Sequence, residues 1–449
     1  MKIREYIQVK AAGAAPDPAV YCPANGYIDP DDPDSGYIPN PINPADGWFL
    51  IAEFQNNSPN STTFDPTITA SGEYAWDLGD GTICMYDKSI SHTYLTTATR
   101  TVKLWGKGTC IINQVDFRSD NIIGELDLSH SAFASCTIWR LFSNSSLTSI
   151  VFPSTISATV TEIAVYSNAL SGTLDLSMFS SFSSALIHFY SNSSVTGVTF
   201  ASSITGSVSA LIGYSCNLTG TLDVSAITSL SSMTYQFNNN SNLTAITFPA
   251  SPTGNVSAFL LQSTGLTGTL NLTQFTSFVT GASIQLNSCA SLTGVTFAST
   301  LTGSFQNLYF YSSGFSGTLD LSMFKSFSNG DIRFYSCAGL TAVTLAGSAT
   351  TGAVKFFYGY SITGVSYLDL TYYGTSFNTF DWRFNNNGWG AAIVNQILTV
   401  IDGISAAGFT GRVINIGGTN TDPDTTSGGY NGTAARTSLQ GKGFTVTIT

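Results

Sequence analysis

The sequence predicts a mainly β protein in which a short β-sandwich module leads into a solenoid of coils about 24 residues long, closed by a small α/β cap. A segment of the form LDLS recurs with its first leucine at Leu126, Leu174, Leu222, Leu270, Leu319 and Leu368. A second flavour lies midway, at Ile150, Val198, Ile246, Val295 and Val343. Self-similarity at a fixed period of this size marks stacked units rather than one globular core. Charged residues make up only 10% of the chain, well under the ~25% usual for soluble globular proteins. Ser, Thr, Asn and Gly take their place, which suits tightly stacked β coils and their turns.

The same composition narrows the function. A formal net charge of -11, with no cluster of Lys or Arg, repels phosphate backbones, so no nucleic-acid partner is expected. No window reaches ~18 uninterrupted apolar residues, and the opening MKIREYIQVKAAGAAPDPAV lacks the apolar stretch of a secretory leader. Neither a membrane span nor classical secretion is expected. The seven cysteines, Cys22, Cys84, Cys110, Cys136, Cys216, Cys289 and Cys337, are widely spaced without a CxxC pair, which implies neither a zinc site nor a disulfide framework. A Cys84–Cys110 pairing inside the first module stays open.

Residues 1–46 pass from a strand-like IREYIQVK into a tract rich in Pro, Asp and Gly, too poor in apolar surface to fold alone. An extended arm is expected, either a flexible linker or, with Tyr21, Tyr27 and Tyr37 interspersed, a docking arm that orders against a partner. Residues 47–110 read as strands, WFLIAEF, EYAWDLGDGT and ISHTYLTTATRTVKLWG. The run Trp76-Asp77-Leu78-Gly79-Asp80-Gly81, then His92-Thr93-Tyr94, then Thr101-Val102-Lys103-Leu104 resembles the signature of PKD-type immunoglobulin-like domains. That resemblance implies a β-sandwich. It departs at Ala98 and Arg100, where the family often has Gly and Tyr, so the turn before the last strand is expected to differ. Asp77 and Asp80 sit where turn hydrogen bonding explains them, and His92 has no second ligand at a suitable spacing, so no metal or catalysis is expected there.

Residues 111–389 form the repeat. Before each anchor lies a second strand signature, as in Trp139-Arg-Leu141-Phe-Ser-Asn144, Ile187-His-Phe189-Tyr-Ser-Asn192 and Ile284-Gln-Leu286-Asn-Ser-Cys289. This LxLxxN or LxLxxC pattern resembles the leucine-rich repeat, of BspA-like type. The resemblance implies a short parallel strand with its apolar residues inward and an interior Asn or Cys that satisfies free backbone groups of the stack. Asn144, Asn168, Asn192, Cys216, Asn240, Cys289 and Cys337 would hold that position, with Thr264 and Ser313 as substitutes. Residues 390–449 are expected to cap the stack: a helix AAIVNQILTVIDGIS with Ile393, Ile397, Val400, Ile401 and Ile404 on one face, a strand RVINIGG, a short helix near TAARTSLQGKG and a strand FTVTIT. At the other end the first module is expected to cover the first coil.

Because the inner residues of each LxL strand are committed to the core, the outward positions are free to serve recognition. One outward column reads Arg118, Phe142, Tyr166, Tyr190, Tyr214, Asn238, Gln262, Asn287, Tyr311, Tyr335, Tyr360. The next reads Asp116, Arg140, Ala164, His188, Ile212, Gln236, Leu260, Gln285, Tyr309, Arg333, Tyr358. Stacked rings and amides stabilise parallel coils, and the same side chains suit contact with a glycan or a protein. The candidate ligand face is Tyr166, His188, Tyr190, Tyr214, Gln236, Asn238, Gln262, Gln285, Asn287, Tyr309, Tyr311, Arg333, Tyr335, Tyr358 and Tyr360.

The second strand presents Asp127, Asp175, Asp223, Asn271, Asp320 and Asp369 alternating with Val151, Thr199, Thr247, Thr296 and Thr344. Acids two coils apart would lie about 9 to 10 Å from each other, near the upper limit for an inverting glycosidase pair. An active site singles out one acid by burial, whereas this row repeats without distinction, so a solvated ladder is expected. HExxH, GxSxG, Walker and GxGxxG motifs are absent. No cofactor and no enzymatic activity are expected.

A PKD-like module, BspA-like repeats and a helix-strand-helix-strand ending together look like proteins encoded by Bacteroidetes bacteria and their tailed phages. The resemblance, taken with an arm suited to docking and the lack of a leader, implies a phage virion structural protein, as a tail-fibre, receptor-binding or head-fibre component. Other virion proteins would meet the arm, a host-surface glycan or protein would meet the solenoid, and a homo-oligomer is compatible. A decoration protein without a ligand, a bacterial surface adhesin and, least favoured, a polysaccharide depolymerase are the alternatives.

Overall fold

The computed structural model describes residues 42–59, 63–85, 90–348, 350–352, 354–373, 380–405, 407–408 and 411–448. The expected arm lies outside them except for its end, a 3-10 turn at Pro44–Asp46 capped by the Asn43 side chain. The chain divides into two compact units, Met1–Gly206 and Ser207–Thr449. Each contains coils stacked about 24 residues apart, and the protein is mainly β.

The first unit opens with antiparallel strands. Trp48–Asn56 pairs with Arg100–Asp116, which pairs in turn with Thr67–Asp77. Alternating apolar residues turn Phe54, Ile68, Trp76, Val102 and Leu104 inward. Trp76 is fully buried, with the rings of Phe54, Phe64 and Phe117 packed on it at 6.5, 6.4 and 5.9 Å. The acids of the Asp-Gly segment serve the turn: Asp77 Oδ1 accepts the Gly79 N–H and Asp80 Oδ1 the Thr82 N–H, both at 3.0 Å. Gly79 and Gly81 take φ of 75° and 91°, which only glycine adopts readily.

His92 has a partner that spacing did not show. Its Nε2 meets Asp80 Oδ2 at 2.8 Å, and the Tyr94 hydroxyl donates to Leu78 O at 3.0 Å, so both strap the same turn. Burial alone would raise the Asp80 pKa, but hydrogen bonds from His92 and Thr82 outweigh it and hold the carboxyl below its usual value. Arg100, at the departure from the PKD pattern, lies 4.0 Å over the Tyr94 ring and donates to Ala98 O at 2.7 Å, fixing the turn that precedes its strand. Cys84 is disulfide-bonded, whereas Cys110 is a buried free thiol, so the Cys84–Cys110 pairing does not form.

Arg100–Asp116 runs through the expected junction at residues 110 and 111 without a break. Its last residues, Gln114 to Asp116, pair in parallel with Ile138–Arg140 and begin the stack. Trp48–Asn56 also pairs antiparallel with Ile122–Asp127, so the opening strands cover the first coil through backbone hydrogen bonds. The long sheet continues through Val160–Ala164 and Ser181–His188. Across the coil, strands pair in twos: Ile122–Asp127 with Ser146–Val151, and Ser171–Leu176 with Ser194–Phe200.

In the second unit the long sheet runs parallel from Thr205–Ile212 through Ser229–Gln236, Thr253–Leu260, Ser277–Gln285, Thr302–Tyr309, Phe327–Arg333, Val354–Tyr358 and Asp381–Arg383. One inward column, Leu211, Tyr235, Phe259, Ile284, Leu308, Ile332, Phe357 and Trp382, is buried throughout. Each such side chain contributes about 1.5–3 kcal/mol on burial. The opposite strands again form twos, such as Gly220–Asp223 with Leu243–Thr247 and Gly268–Leu272 with Leu292–Phe297, which gives the two alternating sequence flavours a structural counterpart.

The C-terminal residues extend this sheet. Arg412–Asn415 and Phe444–Thr447 are its next two rungs, with helix α1, Ala391–Ile404, inserted before them and helix α2, Gly432–Gly441, between them. The α1 face differs from the expected one: Val394, Ile397, Leu398 and Ile401 are buried, while Ile393, Val400 and Ile404 are half-buried. Asn395 accounts for the rotation. Fully buried, its amide donates to Asp424 Oδ1, Ser427 O and Tyr430 O at 2.8, 3.1 and 3.1 Å, and so belongs inside.

The interior amide position follows the expected pattern. Asn168 Nδ2 donates to Leu141 O of the preceding coil at 2.8 Å and to Val165 O of its own coil at 2.9 Å. Asn192, Asn240 and Asn387 repeat both bonds. Thr264 and Ser313 substitute through their hydroxyls, and Cys289 and Cys337 through thiols that donate to Leu261 O and Phe310 O at 3.3 and 3.2 Å. Cys216 donates more weakly, at 3.7 Å to Tyr214 O.

Candidate recognition face

The long sheet turns the two outward columns toward solvent in both units, and none of their fifteen candidate residues is fully exposed. In the first unit Phe142, Tyr166 and Tyr190 stack in succession, each pair with centroids 4.3 Å apart and planes within 14°. Burial pushes the Tyr190 hydroxyl up to about 12, with Tyr166 beside it adding to the shift. His188 leans on both tyrosines at 6.4 and 6.2 Å, its Nε2 is buried without a partner, and burial holds its pKa below the usual value. Beside the rings runs a chain of ion pairs: Arg118 to Asp116 at 2.7 Å, Asp116 to Arg140 at 3.5 Å, Arg140 to Glu162 at 2.7 Å.

In the second unit a ring ladder forms from Tyr311, Tyr335 and Tyr360, with centroids 4.5 and 4.4 Å apart and planes within 10°. Next to it, rings and guanidiniums alternate along the coils: Arg333 lies 4.8 Å from the Tyr309 centroid and 4.9 Å from that of Tyr358, and Arg383 lies 4.9 Å from Tyr358. A third outward column neutralises them. Asp331 accepts from Arg333 Nε and Nη2 at 2.8 and 2.7 Å and from the Tyr309 hydroxyl at 2.8 Å. Asp381 does the same for Arg383 and for Tyr358, at 2.9 Å from the latter. The Tyr358 phenol is pushed up to about 12 by burial and by its bond to Asp381.

Sequence reasoning found the rings but not Glu162, Asp331, Asp381 or Arg383. The available signal was the spacing itself, an acid two residues before each arginine in Asp331-Ile-Arg333 and Asp381-Trp-Arg383. Between Tyr214 and Tyr311 the first column is made of amides, Asn238, Gln262 and Asn287, while the second reads Gln236, Leu260, Gln285 and Tyr309. Gln236 Nε2 donates to Asn238 Oδ1 at 3.0 Å, whereas Gln262 Oε1 and Asn287 Oδ1 are buried acceptors without a partner.

The opposite face holds the acid row. Asp127, Asp175, Asp223, Asp320 and Asp369 each use Oδ1 to accept the backbone N–H two residues on, at 2.9 to 3.0 Å, and Asn271 does likewise. They are turn caps set at equal intervals, with no acid singled out by its surroundings. A cleft of about 530 Å³ opens where Leu243–Thr247 and Gly268–Leu272 do not pair, lined among others by Ala245, Thr247, Phe248, Thr269 and Asn271. Its floor amide is occupied, since Asn271 Oδ1 also accepts from the hydroxyls of Thr273 and Thr296. Among the described residues no group of three His, Cys, Asp or Glu could hold a metal ion, and no helix is long and apolar enough to cross a membrane.

Fold and face together define a β-solenoid whose long sheet displays ordered rings, amides and internally paired charges. No family model, no curated protein and no solved structure matches this chain.

Proposed function

We propose that this chain is a non-enzymatic recognition protein that presents the outward columns of its long sheet to a surface glycan or protein. The observation that carries the reading is the stacking of Tyr166 on Tyr190 and of Tyr311, Tyr335 and Tyr360 into half-buried rows, held in place before any ligand arrives. Pre-ordered side chains lose little entropy on binding, and tyrosine offers apolar area with a polar edge. Within this reading the opening strands are an Ig-like module of PKD type, and the whole chain is a structural protein of a tailed-phage virion, as a tail-fibre, receptor-binding or head-fibre component.

One observation favours a second reading, decoration without a ligand: the stacked rings spend their faces on each other and the arginines spend their charge on Asp331, Asp381, Asp116 and Glu162. A glycan array probed with the full chain and with the Tyr190→Ala/Tyr214→Ala variant separates the two. A loss of signal in the variant supports recognition, and equal signals remove the face as a binding site. Mass spectrometry of purified particles tests the virion assignment, which an absence of its peptides would end.

A further inference from the structure

Residues 224–319 contain no Asp, Glu, Lys, Arg or His. This run builds the middle coils of the second unit, so the stretch of long sheet from Asn238 to Tyr311 offers a ligand neither charge nor titratable imidazole. An anionic ligand would lose its hydration there and find as its nearest cation only Arg333, over Tyr309 at one end and already paired with Asp331, whereas a neutral polyol exchanges one set of hydrogen bonds for another.

Two further features mark this stretch. In an amide ladder whose role is purely structural, each side-chain oxygen would receive the N–H of the next coil. Here Gln262 Oε1 and Asn287 Oδ1, on adjacent coils, have no donor, and Asn287 is only 8% exposed. Leaving a buried acceptor unmet costs about 1–3 kcal/mol each. The stretch also ends on a half-buried tyrosine, Tyr311, an apolar ring with a polar edge. Tyr335 covers one side of Tyr311 at 4.5 Å, and the neighbouring coil on the other side presents the Asn287 amide instead of another ring.

We propose that the ligand is an uncharged polysaccharide seated on the amide floor formed by Asn238, Gln262 and Asn287, with Tyr214 and Tyr311 at its two ends. This rests on the recognition reading above and gives it a ligand class. Four coil steps at ~4.8 Å set Tyr214 and Tyr311 about 19 Å apart, room for a short run of sugar units. Seating the ligand turns the two amides outward, so that its hydroxyls supply the donors that these oxygens, enclosed in the free chain, lack.

The test is binding of the full chain to immobilised dextran, mannan, galactan and starch, against alginate, polygalacturonate and hyaluronan, at low and high salt. The expected result is binding to at least one neutral polymer, insensitive to salt and weakened about tenfold or more in Gln262→Ala/Asn287→Ala. The melting temperature of that variant should not fall, because the two acceptors have no internal partner to lose. Retained binding in that variant, with loss in Tyr335→Ala, would overturn the floor and leave the recognition reading standing. Salt-sensitive binding to the acidic polymers alone would overturn the ligand class. Binding to none of the seven polymers would overturn both.

Discussion

The side-chain oxygen of Asn168 accepts the backbone N–H of Asn144, one coil away, at 2.7 Å. The same amide donates in the opposite direction, to Leu141 O and Val165 O. A single side chain thus meets three backbone groups that the bend of the coil takes out of the sheet. Asn168→Ala strands all three in a dry interior and should cost about 3 kcal/mol or more, read as a fall in melting temperature. Asn168→Thr should cost less, because Thr264 fills the equivalent place with a hydroxyl that donates to Leu261 O at 2.8 Å. Equal losses for Ala and Thr would mean that the position is about volume and not hydrogen bonding.

Asp120 occupies the same interior place in the first coil, following Val115 and Phe117, but a carboxylate cannot donate. It is fully buried, its Oδ1 accepts the Asp65 N–H at 3.0 Å and its Oδ2 has no partner. Burial, with the carboxyls of Asp65 and Asp116 nearby, raises its pKa well above the usual value of 3.8. The folded chain therefore keeps a proton that the unfolded chain gives up, and stability drains away as pH rises from the ordinary carboxylate range toward the raised value. Asp120→Asn supplies the missing donor without a charge. Thermal melts across pH should show the variant more stable near neutrality, with the difference closing in acid. Parallel curves would show that Asp120 does not titrate in this way.

The ladder was legible because its period survives in the letters: a polar residue that recurs at one interior position every 24 or so residues has to be satisfied by its neighbours. Asn420 shows where that signal stops. It donates to Phe384 O and Ile416 O as the other asparagines do, yet it lies 33 residues after Asn387 because α1 is inserted between them. The period breaks while the stack continues, so the end of the chain read as a separate cap when its strands are further rungs. The Arg333–Asp331 and Arg383–Asp381 pairs were hidden for another reason. Which outward residues of successive coils meet depends on register, and columns read singly do not show that an acid beside an arginine also receives a tyrosine from the coil before.

Tyr235 belongs to the inward column, where its neighbours are Phe248, Phe259 and Phe275. Its hydroxyl is buried and has no hydrogen-bond partner, a loss of hydration with nothing in return. Tyr235→Phe removes that atom and keeps the ring stacked on Phe259 at 5.4 Å. The variant should gain about 1 kcal/mol and melt higher. A lower melting temperature would reveal that the hydroxyl is bonded in solution.

Arg333 and Asp331 give the sharpest double-substitution test. The carboxylate is 9% exposed at its side chain, against 27% for the guanidinium, so the two ends do not suffer equally when parted. Arg333→Ala leaves Asp331 charged and enclosed, with only the Tyr309 hydroxyl to meet it, and should cost about 3 kcal/mol or more. Asp331→Ala leaves a guanidinium already lying between the rings of Tyr309 and Tyr358, where the π faces still attract it and water still reaches it, and should cost less. The double variant strands no charge and should therefore be more stable than Arg333→Ala alone. If the three variants instead lose stability additively, the pair is two independent surface residues, and the alternation of tyrosine and arginine along this face is packing without electrostatic coupling.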